Sequence, residues 1–443
     1  MLPLPRPQSD RVSVTPRILT ERDIRFNFRV LVGDVSCFFI GMAFLDNATV
    51  MPALVAKLGG TPTVLASLAA LRQAAYYLPQ LFVAHRLQNR TRYKPFILKV
   101  CGFGRVWLFG AALLMLLTGR TAPAVALGAL MVAYTLSWFG DGMGGVPWTA
   151  IVGRAVPAER RGRLFATTQV FAGLGRFGVG ALVTWILSER FFHFPASGAL
   201  LVLGCATFLF FSWMFLSLIR EPVPEVPLTE DAPPTIEAAL GFFGYLRTLP
   251  DHLRARPEIA KLAVVQMLGT SAAASAPFLL GHTRFYTEGL PANIAGTFLM
   301  VQTAGLLVCA PLLGGITDRF GPRQTLLALF SLSLVCTLSA VVGGIRFGTS
   351  ASLPLFFAAY FCLGAAGDAW TTLTNYLLEA VPDASEQATF IAIMNAASAP
   401  VLLLPLLLGL LVSASGSATM TFFAAFCLLL AGLFVTRSLP STR

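Results

Sequence analysis

Residues 197–219 read SGALLVLGCATFLFFSWMFLSLI, a stretch of 23 residues without a charged side chain. About 20 apolar residues in a helix cross the ~30 Å hydrocarbon core of a bilayer. Only helices or a closed barrel satisfy every backbone polar group there, and this run far exceeds the ~10-residue alternation of barrel strands. We therefore predict an all-α polytopic membrane protein with twelve transmembrane helices, because similar runs lie near 30–56, 62–84, 96–118, 122–145, 164–187, 258–283, 292–316, 324–346, 351–376, 388–412 and 418–436.

The composition excludes a soluble protein and most enzyme classes. Hydrophobic residues make up 56% of the 443-residue chain and charged residues only 12%, against about 25% charged residues in soluble domains. The seven cysteines lie in apolar stretches, without a CxxC pair or a zinc-ligand spacing. The sequence has no P-loop, dinucleotide-binding or serine-nucleophile motif. We expect no enzyme activity, no metal, no cofactor and no direct use of ATP.

The distribution of Lys and Arg predicts the orientation. The loops on one side of the predicted helices, together with both termini, hold 24 of the 32 Lys and Arg residues, and the loops on the other side hold five. Cytoplasmic loops carry the excess of such residues, so we expect both termini in the cytoplasm of a plasma or inner membrane. The first 29 residues lack the apolar region of a signal peptide. The net charge of +11 is explained by this asymmetry, and nucleic acid is not an expected partner.

A polar segment divides the predicted helices into two sets of six. It opens with a Pro- and Glu-rich stretch that we interpret as a tether. Beyond Pro234, apolar residues recur every three to four positions, which predicts an amphipathic helix on the membrane surface or, alternatively, a regulatory docking helix. The predicted units are a cytoplasmic arm, a six-helix half, a cytoplasmic linker, a second six-helix half and a cytoplasmic tail, at 1–29, 30–219, 220–257, 258–436 and 437–443.

The two halves share a short repeat. Ala155-Val156-Pro157 follows the fourth predicted helix, and Ala380-Val381-Pro382 follows the tenth, 225 residues later. Equivalent positions in two six-helix halves indicate a parallel repeat, with a substrate site at the interface between the halves.

The loop between the eighth and ninth predicted helices carries the most specific motif. Gly314, Asp318, Arg319, Gly321 and Arg323 follow the order G-x-x-x-D-R-x-G-x-R, which resembles the loop signature of the major facilitator superfamily. With the six-plus-six layout, the resemblance covers essentially the whole chain. It implies two pseudo-symmetric halves that alternate access to a central site, with Asp318, Arg319, Gly321 and Arg323 acting in the gate.

Other parts of the chain match this superfamily incompletely. Residues 157–163 repeat part of the signature, but the loop after the second predicted helix has His85 where Asp is expected, so the first-half gate is degenerate. Residues 173–180 are glycine-rich, like the antiporter motif of drug exporters, but lack its Gly-Pro step. Residues 45–52 are similar to an opening seen in some proton-coupled drug exporters, with one extra residue.

Three charged residues are predicted near the middle of the membrane or slightly outward of it, namely Asp46, Arg72 and Arg176. A charged side chain within a span costs about 2.5–3.5 kcal/mol and usually faces a cavity or a partner. In a functional interpretation, Asp46 couples transport to protons, and the arginines bind an anionic substrate. Alternatively, the three form a static ion-pair network.

A second charged group is predicted in the cytoplasmic half of the membrane. Asp34 is a further candidate for proton coupling, and Arg105 and Asp141 are candidates for gating. Alternatively, these three residues tie the first, third and fourth helices together or extend to the headgroups.

The second half supplies Asp368 and four amides inside its predicted helices. The amides are Gln266, Gln302, Asn375 and Asn395, of which Gln266, Gln302 and Asn395 are candidate substrate ligands. Helix-to-helix hydrogen bonding is the alternative use of such amides. The six tryptophans lie mostly near predicted helix ends, and we interpret those as interface anchors.

Together these features predict a secondary active transporter, working as a monomer. Its expected partners are a small organic or drug-like solute, protons and membrane lipids. A lipid or glycolipid flippase on the same scaffold is one alternative, and a non-transporting receptor or assembly factor is another. The sequence does not specify the substrate or the direction of transport.

Overall fold

The described residues of the computed structural model are helical, with turns and short connections between the helices and no strand among them. They are 19–87, 92–222, 253–254, 256–280, 291–346, 352–367, 369–381, 390, 394 and 399–442. The amphipathic linker helix predicted beyond Pro234, and the candidates Asp368 and Asn395, lie outside these residues.

The first half begins with a capped helix. The Thr20 hydroxyl oxygen accepts from the Asp23 N–H at 3.2 Å, and the Asp23 carboxylate accepts from the Thr20 N–H at 3.1 Å, a capping box that fixes the helix start. The helices of this half are α1 (Glu21–Ala43), α2 (Val50–Lys57), α3 (Pro62–Leu87), α4 (Lys94–Thr118), α5 (Pro123–Ala155), α6 (Ala158–Leu187) and α7 (Ala196–Leu218).

In the second half, α8 and α10 each have proline in their first turn, where its missing N–H would have no helical partner. The helices are α8 (Pro257–Ser275), α9 (Ile294–Phe320), α10 (Pro322–Ile345), α11 (Ser352–Ala365), α12 (Ala369–Ala380), a 3₁₀ turn (Ala399–Leu403), α13 (Leu404–Ser415) and α14 (Thr419–Arg437). Nine helical segments of the described chain are long and apolar enough to cross a membrane, and two shorter ones are also apolar. The predicted all-α polytopic fold is confirmed.

The first predicted span, 30–56, is interrupted, contrary to the sequence prediction of a continuous helix. Between α1 and α2, the Asp46 Oδ1 atom accepts hydrogen bonds from the N–H of Ala48 at 3.0 Å and of Thr49 at 3.1 Å, and from the Thr49 hydroxyl at 3.0 Å. A carboxylate in this position satisfies donors at a helix start. The span therefore contains a local break.

The interpretation of the linker as a tether from Glu221 onward is also wrong at its first residue. The Glu221 carboxylate is buried and accepts from the N–H of Tyr93 at 2.6 Å and of Lys94 at 3.1 Å. It thereby caps α4, and an acidic side chain at a helix N-terminus is electrostatically favourable. The chain after α7 is fixed to the first half as far as this residue.

We define the near face as the end of the molecule that carries the start of α1 and the end of α14, and the far face as the opposite end. At the far face, the hydroxyls of Thr63 on α3 and Ser413 on α13 lie 2.8 Å apart. On α6, a Cβ atom at Gly180 would lie 2.9 Å from the Gly296 carbonyl oxygen of α9, so these two helices approach closely. Contacts between the halves thus extend from the middle of the molecule to the far face.

Three buried apolar clusters of the described residues also show that the halves meet at the far face and not at the near face. The largest contains residues of both halves, such as Leu54 and Val183 with Phe298 and Phe356. A second cluster consists of second-half residues alone, and a third of first-half residues alone. The halves share one core toward the far face and have separate cores toward the near face.

Candidate functional site

The interrupted segment between α1 and α2 meets both halves. The Asp46 Oδ2 atom lies 3.9 Å from an Arg176 terminal nitrogen on α6, and these side chains are only 12% and 17% exposed. The Ala48 carbonyl accepts a hydrogen bond from the Tyr360 hydroxyl of α11 at 2.9 Å. The break exposes backbone groups where a second-half side chain reaches them, and broken helices at the interface of such repeats typically line binding sites. The predicted proximity of Asp46 and Arg176 is observed.

Arg72 lies in an aromatic environment. Its guanidinium carbon is 5.0 Å from the ring centre of Trp138 on α5. The Trp138 ring in turn makes edge contacts with Tyr76, Tyr134 and Phe38, at centroid distances of 5.7, 6.2 and 6.4 Å. Cation–π contacts of this kind contribute roughly 0.5–2 kcal/mol. Trp138, inside α5, thus packs within the first half as the cation–π partner of Arg72.

Arg176 faces the second half. Gly173 and Gly180 lie three residues before and four residues after Arg176, and both contact α9. A Cβ atom at Gly173 would lie 3.0 Å from Leu307 Cγ, and a Cβ atom at Gly180 would lie 2.6 Å from Met300 Cγ. Residues three and four apart share a helix face. Arg176 therefore lies on the α9-facing side of α6.

Gln302 lies on the side of α9 that faces α11, away from the side that contacts Gly173 and Gly180. It follows Phe298 by one helical turn, and the Phe298 ring stacks on Tyr360 with centroids 4.3 Å apart. Tyr360 is the residue that contacts the interrupted segment. We name Asp46, Arg72, Trp138 and Arg176 the central polar group.

The central polar group contains buried polar atoms without a hydrogen-bond partner among the described residues. They are the Nε atoms of both arginines, the Trp138 indole nitrogen and, beside Asp46, the Asn47 carbonyl oxygen. The Gln302 carbonyl oxygen on α9 is a further buried atom of this kind. More than 90% of buried polar groups in proteins are hydrogen-bonded, and exceptions concentrate at functional sites or hydrated cavities. The central polar group of the first half thus holds donors and an adjacent acceptor that are available to a ligand.

The second charged group forms a buried network inside the first half. The Arg105 guanidinium donates to Asp141 Oδ1 at 3.1 and 2.8 Å, and also to the Leu209 carbonyl and the Ser212 hydroxyl. Asp34 accepts from the Ser212 hydroxyl at 2.7 Å and from the Trp148 indole at 3.0 Å. The sequence grouped these three charges correctly, but Trp148 and Ser212 were missed as their partners.

The charges of this network do not balance among the described residues. Asp34 and Asp141 are 4% and 7% exposed. Arg105, at 7%, pairs with Asp141, and no cation is bonded to Asp34 among the described residues. The Asp141 Oδ2 atom is buried without a hydrogen-bond partner. Burying an uncompensated carboxylate is costly, so one bound proton would make the network neutral.

The loop signature joins α9 to α10 at the near face. Gly321 has φ 83° and ψ 167°, a backbone conformation that is essentially restricted to glycine. Arg323 donates to the Arg437 carbonyl at the end of α14 at 2.7 Å, while Asp318 and Arg319 are exposed. The signature therefore ties three near-face helix ends within the second half together.

The partial match at 157–163 lies where α5 ends and α6 begins, at the near face of the first half. Arg161 donates to the carbonyls of Gly153 and Val156 at 2.6 and 3.0 Å, which satisfies acceptors at the end of α5. Arg160 pairs with Glu21 on α1 at 3.0 Å. Of the remaining candidates, Gln266 and Asn375 are half-buried on α8 and α12.

No family model matches the chain. The multidrug resistance protein MdtH of Salmonella paratyphi B is 33% identical over 125 residues, which cover 25% of this chain and 30% of MdtH. The chain thus matches about a third of the length of its curated relatives.

Solved structures agree with the fold over nearly the whole chain. A point mutant of the nucleoside transporter NupG covers 94% of this chain and 99% of its own, with TM-score 0.66 and 10% identity. A bacterial homologue of the iron transporter ferroportin is similar in two states. Its inward-facing structure has TM-score 0.64 and 14% identity, and the match covers 94% of this chain and 98% of that one. Its outward-facing structure has TM-score 0.57 and 13% identity, and the match covers 94% of this chain and 99% of that one. These similarities confirm the fold that was predicted from the sequence.

Proposed function

We propose that this protein is a proton-coupled secondary transporter that carries a small organic solute by alternating access. The observation that carries this proposal is the set of buried polar atoms of Asn47, Arg72, Trp138 and Arg176 that have no hydrogen-bond partner among the described residues, together with the interrupted segment that Tyr360 of the second half contacts. The fold and the partial similarity to a multidrug resistance protein support it. In this class of transporter, the substrate site lies at the interface between the repeats.

The chemistry of the central polar group favours a substrate with an anionic group and an aromatic or apolar body. Arg72 and Arg176 supply two guanidinium groups, against the one carboxylate of Asp46. Asp46 Oδ1 is already occupied by three donors of the interrupted segment. A guanidinium binds carboxylate or phosphate through paired N–H groups, and Trp138 with its tyrosine neighbours offers ring faces and edges beside Arg72.

The described conformation is closed at the far face. The shared apolar core and the Thr63–Ser413 contact seal that end, while each half keeps its own core at the near face. The TM-score is higher for the inward-facing structure of the ferroportin homologue than for its outward-facing structure, which supports closure at the far face. We assign the near face to the cytoplasm from the Lys and Arg distribution, which makes this an inward-facing state.

The Asp34, Arg105 and Asp141 network is the proton site that the geometry supports best. Arg105 pairs with Asp141 and is joined to Asp34 through the Ser212 hydroxyl, so gain or loss of one proton changes this network of two carboxylates and one guanidinium between neutral and negative. Asp46, the other candidate, instead fixes the interrupted segment through the three hydrogen bonds that its Oδ1 atom accepts.

Substrate binding is tested by thermal shift on the purified protein, since a ligand of the folded state raises its stability. The screen compares aromatic carboxylates, nucleotides, neutral nucleosides and the cation ethidium. We expect anionic aromatic compounds to raise the melting temperature, and Arg72→Gln or Arg176→Gln to abolish the shift. Arg190→Gln, a change of an exposed arginine near the far face, is the control. Stabilisation by ethidium alone would contradict the anion assignment.

Coupling is then tested in proteoliposomes with a stabilising compound and an imposed pH gradient. We expect solute flux accompanied by proton flux in the wild type. In Asp34→Asn, we expect binding to persist and gradient-driven uptake to fail. Wild-type coupled uptake by this variant would remove Asp34 from the mechanism, and scrambling of labelled lipid without solute flux would favour the flippase alternative.

A further inference from the structure

A basic cleft lies at the near face, between the start of α1 and the end of α7. It has a volume of about 560 Å³ and is lined by Arg22, Arg25, Phe26, Arg29 and Arg220. The three α1 arginines are three and four residues apart, so they share one helix face, and all three are exposed. This cleft is separate from the central polar group and from the Asp34 network.

One wall of the cleft is held rigidly. Arg220 pairs with Asp23 at 2.6 Å, and its guanidinium carbon lies 4.3 Å from the ring centre of Phe26. The Asn27 side chain exchanges two hydrogen bonds of 2.9 Å with the Arg220 backbone. Arg220 is thereby fixed opposite the α1 stripe, by which we mean the helix face that carries Arg22, Arg25 and Arg29.

The carboxylates near this cleft are already engaged. Asp23 pairs with Arg220, and Glu21 pairs with Arg160 at 3.0 Å. Within the described part of the chain, no ion pair joins Arg22, Arg25 or Arg29 to a carboxylate. Three cations on one stripe repel one another unless an anion lies between them.

We propose that this cleft binds the phosphate headgroup of an anionic phospholipid. Guanidinium groups recognise phosphate oxygens through paired N–H donors. The arginine stripe covers about 10 Å of helix, at 1.5 Å per residue, just before the apolar part of α1 begins. Clusters of Lys and Arg at this place beside a transmembrane helix bind anionic lipid. The Phe26 ring supplies an apolar surface for the part of the lipid below the phosphate.

The test compares purified full-length protein in neutral phosphatidylcholine detergent micelles with and without phosphatidylglycerol. We expect phosphatidylglycerol to raise the melting temperature of the wild type. The cleft variant Arg22→Gln/Arg25→Gln/Arg29→Gln should bind this lipid at least roughly tenfold more weakly. The control variant Arg92→Gln/Lys99→Gln/Arg163→Gln loses the same charge from exposed near-face positions outside the cleft, and it should retain the shift.

Several results would overturn the proposal. If both triple variants lose the phosphatidylglycerol-dependent rise in melting temperature to the same extent, the lipid is attracted by the general charge of the near face and has no specific site in the cleft. An equal shift from inorganic phosphate alone would make the lipid unnecessary. The residues that follow Arg220 include Glu225, Glu230 and Asp231. A lipid shift seen only after neutralising these three, and absent in the wild type, would mean that the chain's own acidic segment fills the cleft.

Discussion

At the scale of single residues, Asp46 has two distinct contacts. Its Oδ1 atom accepts from the donors that restart the helix at α2, and its Oδ2 atom lies 3.9 Å from Arg176. The first contact requires only an acceptor, whereas the second requires a negative charge. Two substitutions separate them, because asparagine retains a carbonyl oxygen and alanine retains neither feature.

We expect Asp46→Ala to lower the stability by about 1 kcal/mol more than Asp46→Asn, the cost typical of a lost helix cap. Asp46→Asn should change substrate binding through Arg176, which loses its nearest carboxylate, while leaving the fold nearly unchanged. Thermal unfolding of both variants, followed by tryptophan fluorescence, measures the difference. Equal melting temperatures would show that Asp46 does not cap α2.

The buried network around Arg105 makes a second residue-level prediction. Asp141→Asn removes the negative charge that Arg105 contacts through two nitrogens. Breaking a buried ion pair typically costs about 3–5 kcal/mol, so we expect a marked fall in melting temperature. Ser212→Ala removes a neutral contact of the same network and serves as the milder comparison. A fall no larger than that of Ser212→Ala would mean that the pair is not stabilising.

The sequence predicted some of these contacts and not others. Helical rise places Arg105 and Asp141 at one depth, and a buried charge requires a partner, so that pair was predictable. The contact of Arg72 with Trp138 was not, because depth along a helix does not define which way a side chain points around it. Rotation of each helix is set by packing, through close approaches such as Gly180 against Gly296.

At the scale of elements, the break between α1 and α2 shows why a hydropathy pattern is insufficient. Residues 30–56 are apolar enough to be interpreted as one span. A local signal was present, since Asp46 precedes Thr49 by three residues and such side chains favour helix starts. In a membrane such a break requires partners for the freed backbone groups, and Tyr360 of the other half supplies one.

The turn between α9 and α10 gives an element-level prediction. Gly321 has a backbone conformation that costs other residues about 1–3 kcal/mol, so Gly321→Ala should lower the melting temperature. Gly314, in the same motif, is helical, and a Cβ there meets no described atom within 4 Å. Gly314→Ala should therefore leave the stability unchanged or raise it slightly. Equal destabilisation by both substitutions would contradict this account of the motif.

At the scale of the whole molecule, orientation remains a prediction from charge. In a variant without native cysteines, Cys in place of Arg160 at the near face should react only with membrane-permeant thiol reagents in intact cells. Cys in place of His193 should react with impermeant reagents, because we expect it outside. The reverse labelling would invert the assignment of the near face to the cytoplasm.

The halves must separate at the far face if access alternates, because the structure has that face closed. The central claim is thus that the Thr63–Ser413 contact, 2.8 Å between hydroxyl oxygens, opens in every transport cycle. The Thr317–Thr325 hydroxyls are also 2.8 Å apart, but they join two helices of the same half. They provide a matched pair that the cycle should not separate.

The most direct measurement is uptake of a stabilising solute by proteoliposomes that contain Thr63→Cys/Ser413→Cys, before and after oxidative cross-linking. We predict that cross-linking stops uptake, that a reducing agent restores it, and that cross-linked Thr317→Cys/Thr325→Cys retains uptake. Uptake at the uncross-linked rate through fully cross-linked Thr63→Cys/Ser413→Cys would contradict alternating access in this protein.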